Sequence, residues 1–248
     1  MILLAVMVLV GCDKDEAFDL KPIESMNLHE YLAQANTLPQ SNRLFPVAGN
    51  HPMFFQNEDT SSHILVNRVD QASDYRLYLT DTLAYRDSLE TYDLAGYDFV
   101  DNEDGVFGAF EAVAVKRDCF ARVICTTADS QYVSEAITVR SATLKTDTID
   151  GISVTAGFSG KTQVSWNSVP GADDYLVVFR GNNGDVVGAC FERKAAFTYY
   201  DLRHASVNLT PRLYDPELIS KARYGLEVFA VTDRGWVLAY GQKQFQAF

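Results

Sequence analysis

A stretch that occurs twice constrains the fold of this chain more than any other feature. Residues 163–179 read QVSWNSVPGADDYLVVF, and residues 63–79 read HILVNRVDQASDYRLYL. Each copy has the pattern of two β-strands around a tight acidic turn, and the copies lie 100 positions apart. A repeat at this spacing indicates a duplicated domain and not a solenoid unit. The matched positions are Asn67 and Asn167, Val69 and Val169, Ala72 and Ala172, Asp74 and Asp174, and Tyr75 and Tyr175.

The length of the chain agrees with this duplication. The 248 residues suffice for two domains of ordinary size, and a hydrophobic share of 47% is typical of a folded protein. The predicted division is a signal peptide at residues 1–11, a tether with a short helix at 12–43, module one at 44–139, a linker at 140–150 and module two at 151–248.

The negative charge of the chain is concentrated in its first part. Residues 151–248 carry ten Lys or Arg and nine Asp or Glu, which leaves 11 basic and 24 acidic residues, a net charge of −13, for residues 1–150. Such a surface repels nucleic acid and anionic lipid headgroups, so we expect no nucleic-acid partner. Neutral sugars, basic proteins and divalent cations remain compatible with it.

The N-terminus resembles the signal sequence of a bacterial lipoprotein. Residues 1–11 are apolar and run into Cys12, a length typical of a signal-peptide apolar region and too short for a membrane-spanning helix of about 20 residues. Residues 9–12, Leu-Val-Gly-Cys, resemble the lipobox. This resemblance implies that the mature protein begins at a lipidated Cys12 and is held in a bacterial outer membrane. The alternative is a buried first strand with an incidental cysteine.

Two further features of the leader concern its export. No Lys or Arg precedes the apolar run, so we expect the true start codon to lie upstream. The acidic residues after Cys12 resemble the surface-export signal of Bacteroidetes-type lipoproteins, or they form a solvated linker. We expect a surface-exposed lipoprotein, with the periplasmic face of the outer membrane as the alternative.

A short helix is predicted over residues 27–35. Asn27 is suited to the N-cap, and Glu30 follows three residues later, as in a capping box. We expect this helix to lead into module one or to cover its edge.

Module two resembles a fibronectin type III domain. The resemblance rests on Val164-Ser-Trp166, on residues 169–175, on Tyr200-Asp-Leu202, on residues 224–231 and on Gly235. It implies an antiparallel β-sandwich with Trp166 in strand B, Tyr175 in strand C and Tyr224 at the corner that begins strand F. The whole chain is then all-β, with two tandem fibronectin type III-like, immunoglobulin-like sandwiches. Short helices are expected in the leader and, over residues 215–222, in the last long loop.

Module one matches this pattern less well. Val66 occupies the position of the strand B tryptophan. Strand F corresponds either to residues 110–115 or to residues 119–127. We favour the second, because residues 122–136 resemble the usual succession of strand F, loop and strand G. That choice places Cys119 at the corner position.

Few residues of this sequence indicate chemistry. Cys119, Cys125 and Cys190 are read as small core residues, and the four histidines are dispersed. No phosphate-binding glycine loop and no nucleophile elbow is present. The stretch at residues 98–105 is rich in acidic side chains and suggests Ca²⁺. In an EF-hand loop, however, Val100 would stand at the position of the first carboxylate ligand. We therefore expect no catalytic residues, no metal and no cofactor.

The aromatic residues of the F–G loops suggest a ligand site. Tyr132 belongs to the loop of module one and Trp236 to that of module two, where Asp173 and Asp174 are expected nearby. An exposed ring beside carboxylates can stack on a sugar while the acids accept hydroxyl hydrogens. Tyr214 is the expected contribution of the long insertion at residues 204–222. Alternatively, Trp236 packs on strand G or on the other module.

Two functions of different class follow from these patterns. The first is a non-catalytic cell-surface lipoprotein that acts as a structural, adhesion or protein-interaction scaffold, with an outer-membrane protein complex as its partner. The second is a glycan-binding lipoprotein of a polysaccharide-uptake system. An accessory protein with unrecognised hydrolase activity ranks third.

Overall fold

The computed structural model describes residues 22–34, 43–50, 61–102, 105–141, 146–157, 160–198, 207–209 and 218–248. Within these ranges, two short 3₁₀ turns, Ile23–Ser25 and Leu89–Thr91, accompany one α-helix, α1 (Leu28–Gln34). The strands of module one are β1 (Val47–Gly49), β2 (Ser62–Asn67), β3 (Ser73–Leu79), β4 (Asp93–Ala95), β5 (Phe99–Asp101), β6 (Phe107–Val113), β7 (Cys119–Thr126), β8 (Gln131–Val133) and β9 (Ile137–Val139).

Module one is built from two antiparallel sheets. One has the order β1-β2-β6-β5, and the other has the order β4-β3-β7-β8 with β9 also on β7. Strand β7 pairs with β3 on one side and with β8 and β9 on the other, which is the position of strand F. The preference for residues 119–127 over residues 110–115 as strand F is therefore confirmed.

Module two has the same two-sheet arrangement. Its strands are β10 (Asp147–Thr148), β11 (Ser153–Ala156), β12 (Thr162–Ser165), β13 (Asp174–Arg180), β14 (Val186–Glu192), β15 (Ala196–Thr198), β16 (Val207–Asn208), β17 (Arg223–Val231) and β18 (Val237–Gln246). The smaller sheet is β11-β12-β15, and the larger is β10-β18-β17-β13-β14-β16. Strand β10 pairs with β18 in parallel, so the end of the predicted linker belongs to the larger sheet.

The duplicated stretch has the same conformation in both modules. The Tyr75 hydroxyl accepts a hydrogen bond from the backbone N–H of Val69 at 2.9 Å, and Tyr175 accepts one from Val169 at 3.0 Å. In each copy the N–H of the matched alanine, Ala72 or Ala172, donates a hydrogen bond to the carbonyl of the same valine and closes the turn. The tyrosine hydroxyl therefore satisfies a backbone donor in the turn before its own strand.

Each sandwich encloses its own core. In module two, Trp166 is buried and meets Tyr175 edge-on at 5.3 Å between ring centroids, as the sequence predicts. The hydroxyl of Tyr224 accepts the N–H of Ile219 at 3.0 Å, which is the expected corner hydrogen bond. All three described cysteines are free and buried, and this agrees with their reading as core residues: Cys119 and Cys125 in module one, Cys190 in module two.

The two modules also pack against each other, sheet on sheet. Leu65 and Phe107 lie on the outer face of the β1-β2-β6-β5 sheet, and they join one buried cluster with Leu176, Val178 and Phe229 from module two. Strands β2 and β13 are consequently buried on both faces. The described molecule is a stack of four sheets.

Helix α1 covers the remaining outer face of module one. Asn27 Oδ1 accepts the N–H of Glu30 at 2.9 Å, and a Glu30 carboxylate oxygen accepts the N–H of Asn27 at 3.0 Å. The predicted capping box is thus confirmed. Leu28 and Tyr31 of the helix pack with Tyr78 and other residues of the β4-β3-β7-β8 sheet. The helix therefore lies on the face of this sheet.

Two loops complete the description. Residues 181–185 form the turn between β13 and β14, with a 2.8 Å hydrogen bond from Gly181 N to the Asp185 carbonyl. Of the helix predicted at residues 215–222, residues 218–222 instead form a turn, and the rest lies outside the described residues. No helix in the described ranges is long and apolar enough to cross a membrane.

Candidate functional site

Trp236 lies at the junction of the modules, in the core of module one. Its side chain is only 3% exposed and belongs to the cluster that contains Ile64 and Phe110. The preceding residue, Gly235, accepts a 2.8 Å hydrogen bond from Ala48 N, and Ala48 and Trp236 form a parallel bridge. The expectation of an exposed sugar-stacking ring is therefore wrong for Trp236. Of the alternatives, packing on the other module is the one observed.

Tyr132 is not exposed either. It lies within strand β8, it is 6% exposed, and it packs in the same core as Trp236. The guanidinium of Arg43 stands over its ring at 5.7 Å. The expectation of an exposed loop aromatic is wrong here as well, because β8 turns this side chain between the two sheets of module one.

Two predicted residues cannot be placed. The lipidation site Cys12 and the insertion residue Tyr214 both lie outside the described residues.

Asp173 and Asp174 stand where β13 begins, and they have different roles. Asp173 is exposed, and its carboxylate accepts the N–H of Asp233 at 2.7 Å, which ties the 232–236 turn to this strand. Asp174 is half-buried, and its Oδ1 lies 3.9 Å from Nε of Arg193. Burial raises the pKa of the Asp174 carboxyl; the charge of Arg193 opposes this shift and that of Asp173 adds to it.

Asp174 borders a groove between the two modules. The groove has a volume of about 370 Å³, and its lining includes Gly235, the residue before Trp236. Module one contributes three segments to it, and module two contributes strand ends and the 231–235 turn. The residues that the following paragraphs use are Phe45, Arg86 and Glu135 from module one, and Asp174, Phe191, Arg193, Asp233 and Arg234 from module two.

Sequence reasoning pointed to the end of module two that borders this groove, but it missed the residues that module one contributes. Arg86 and Phe45 belong to module one, and no local pattern connects them with Asp174. The one available signal is the uninterrupted apolar run at residues 176–179, which indicates a strand that is covered on both faces. That run predicts a partner for the sheet of module two, although not its identity.

The described residues offer little for metal binding or for thiol chemistry. No group of three or more His, Cys, Asp or Glu side chains among them is arranged to hold a metal ion. Burial raises the pKa of Cys119 and of Cys125 to about 11 and raises that of Cys190 further, so these thiols are protonated at neutral pH.

Comparison with known proteins adds the following. No family model and no curated protein matches this chain. Solved structures that resemble it include a segment of two fibronectin type III domains from chicken tenascin, with 12% identity and a TM-score of 0.32 over 77% of this chain and 95% of that one. A cytokine receptor complex has 13% identity and a TM-score of 0.30 over 82% and 96%.

A third similar structure contains the FN1–FN3 domains of chicken CNTN1, with 12% identity and a TM-score of 0.29 over 84% of this chain and 61% of that one. Similarities this low, in sequence and in superposition, do not indicate a function for this chain. The assignment of the fold rests on the pairing of the strands, which makes this an all-β protein of antiparallel sheets packed as sandwiches.

Proposed function

We propose that this protein is a non-catalytic lipoprotein of a bacterial outer membrane that presents its two sandwiches as one interaction scaffold. The observation that carries the scaffold proposal is the junction of the modules. Trp236 of module two is buried in module one, and two sheets pack face to face beside it. Surfaces on the two modules are thereby held at a fixed distance, which suits a protein that positions a partner.

The membrane part of the proposal rests on the leader. The lipobox at residues 9–12 supports attachment through Cys12, and the net charge of −13 on residues 1–150 supports docking to a basic partner. The non-catalytic part is supported by the described side chains: the buried thiols are protonated, and His63 is buried within a strand and interacts with the N–H of Ala112.

The anchor is tested by replacing Cys12 with Ser. Wild-type protein should partition with outer membranes and incorporate labelled fatty acid, and the Cys12→Ser variant should lose both properties. A control variant, Cys190→Ala, removes a cysteine of the core and should fractionate as wild type does. Equal membrane fractionation by the Cys12 variant would overturn the lipoprotein assignment.

The scaffold role is tested by purifying the tagged protein from solubilised membranes. If acidic surfaces dock a basic partner, a stoichiometric outer-membrane component should co-purify at low ionic strength and dissociate at high salt, where surface charges are screened beyond about 3 Å at 1 M. Absence of any stoichiometric membrane component under crosslinking would contradict the scaffold role.

A second candidate, glycan binding, is favoured by one specific observation. The inter-module groove of about 370 Å³ has the size of a small-ligand site and combines phenylalanine rings with carboxylates and guanidinium groups. Binding of oligosaccharides by the purified protein tests this candidate directly.

A further inference from the structure

The duplication supplies an internal comparison for the residues of the groove. Asp74 and Asp174 occupy equivalent positions, directly before the tyrosine of each repeat. Both carboxylate oxygens of Asp74 have partners within the chain. The carboxylate pairs with Arg76 at 2.9 Å and accepts a 3.5 Å hydrogen bond from the Tyr31 hydroxyl. Asp74 therefore has a structural role at the contact between α1 and the sheet.

Asp174 has no such network. Its Oδ1 is buried, and no donor in the described parts of the chain forms a hydrogen bond with it; Arg193 approaches only to 3.9 Å. A buried carboxylate oxygen without a hydrogen-bond donor costs free energy, so such a group in a folded protein requires an explanation. The Asp174 side chain as a whole is 37% exposed and lines the groove, so a ligand in the groove can supply a donor to this carboxylate.

Arg86 brings the complementary group to the same groove. Its Nε is buried and finds no acceptor among the described residues. The loop that carries it is held in place, because the Tyr92 hydroxyl donates a 2.7 Å hydrogen bond to the Arg86 carbonyl. The groove is therefore lined by two residues from opposite modules, and each has one buried polar atom without a partner among the described residues.

The remaining lining defines the class of ligand. Phe45 and Phe191 lie 6.2 Å apart between ring centroids at an angle of 50°, and Phe45 is only half-buried. The three lining arginines are balanced by three carboxylates: Arg86, Arg193 and Arg234 against Glu135, Asp174 and Asp233. A neutral ligand with an apolar face and with hydroxyls that both donate and accept hydrogen bonds matches these features.

We propose that the inter-module groove binds a neutral saccharide, with the Asp174 carboxylate accepting a hydroxyl hydrogen, Arg86 donating to a hydroxyl or ring oxygen, and Phe45 contacting the apolar face of the ring. This inference deepens the glycan-binding candidate and rests on it. A groove of about 370 Å³ has the size of a small-ligand site. A specific protein partner would cover about 800 Å² of this protein, most of it outside the groove.

The test uses the purified chain and a panel of neutral gluco-, manno-, galacto- and xylo-oligosaccharides, with binding measured by calorimetry. Wild type should bind at least one member of the panel. Asp174→Asn and Arg86→Gln should each weaken that binding by about tenfold to a hundredfold, as expected for a hydrogen bond to a charged group. Asp185→Asn removes the same charge from the turn beyond the other end of β13 and should bind as wild type does.

Loss of binding in these variants must not reflect unfolding. Because burial raises the pKa of the Asp174 carboxyl, the ionised group is destabilised in the folded state, and Asp174→Asn should unfold at an equal or higher denaturant concentration than wild type. A variant that loses binding and keeps its stability supports a ligand site.

Two results would overturn the proposal: no binding of any neutral oligosaccharide, or binding that both groove variants retain. These results leave the scaffold function intact if the Cys12-dependent anchoring and the co-purifying membrane component persist. If the protein binds a saccharide but its membrane fractionation does not depend on Cys12, the groove proposal stands and the lipoprotein assignment is contradicted.

Discussion

At the scale of the residue, equivalent positions of the duplicated stretch have taken different roles. Tyr75 and Tyr175 both close the turn before their strand, so this hydrogen bond is a property of the repeat itself. Val66 occupies the position of Trp166, and the cluster that contains Val66 also contains Trp236 of the other module, whereas Trp166 lies in the core of its own module. The sequence identifies the repeated positions, whereas the neighbours of each position decide its role.

The buried indole of Trp166 leads to a first prediction. Trp166→Ala should lower the free energy of unfolding by about 3 to 5 kcal/mol, since it leaves a large cavity beside Tyr175. Trp166→Phe retains a ring there and removes an N–H that has no acceptor in the described structure, so its loss should be much smaller. Urea unfolding measures both values, and a loss below about 1 kcal/mol for the alanine variant would contradict the burial.

The buried thiols of module one predict a dependence on alkaline pH. Burial raises the pKa of Cys119 and Cys125 from 9.0 to about 11. As the pH rises from about 9 towards 11, the unfolded state releases these protons first, and the free energy of unfolding falls. The urea midpoint should therefore decrease over this range.

A variant carrying Cys119→Ala and Cys125→Ala serves as the comparison for this pH series. It is less stable at neutral pH because it loses packing, but its midpoint should fall less steeply with pH. Some slope remains, because burial also raises the pKa of Tyr75, to about 12. Identical slopes for wild type and variant would show that the thiols do not contribute.

At the scale of the element, local patterns specify most of the strands and the helix. The capping box of α1 depends on residues three positions apart, and the turn at 181–185 depends on Gly and Asn within one hairpin. Which faces of a strand are buried depends less on the local sequence. Alternation predicts one buried face, but β2 and β13 are buried on both, because each lies between its own core and the other module.

The capping box allows a test confined to the helix. Asn27→Ala should cost about 1 kcal/mol, because the N–H of Glu30 loses its acceptor. Asn27→Asp preserves the acceptor and adds a charge that suits a helix N-terminus, so its stability should stay close to that of wild type. Chemical denaturation compares the three proteins, and an alanine variant as stable as wild type would mean that the helix does not contribute to the fold.

At the scale of the whole molecule, the modules unfold together if their junction is as extensive as the structure indicates. One buried cluster contains residues of both modules, and Trp236 belongs to the core of the first. The two tryptophans of the chain report on different cores, Trp166 on that of module two and Trp236 on that of module one. In each single-tryptophan variant, the fluorescence transition should coincide with the far-UV circular dichroism transition of the same protein, and two separated midpoints within one variant would show independent modules.

Gly235 provides a matched test of the junction. Gly235 and Gly184 both have positive φ, +70° and +88°, so alanine is strained at either position. A Cβ at Gly235 would stand 2.5 Å from Cγ2 of Ile137, whereas nothing lies within 4 Å of a Cβ at Gly184. Gly184→Ala should cost about 1 to 2 kcal/mol, and Gly235→Ala about 1 to 3 kcal/mol more. Equal losses of stability in the two variants would show that Ile137 moves away from the new Cβ without measurable cost.

The sequence by itself determined the duplication, the all-β sandwich class, the buried Trp166, the corner formed by Tyr224 and the capped helix. These features depend on neighbours in the chain or on a pattern repeated within one domain. The tertiary structure alone decided that Trp236 is buried in the other module and that Asp174, Arg86 and Phe45 line one groove. Contacts between modules depend on how two finished surfaces fit together, and residues far apart in the chain leave no local pattern that records this fit.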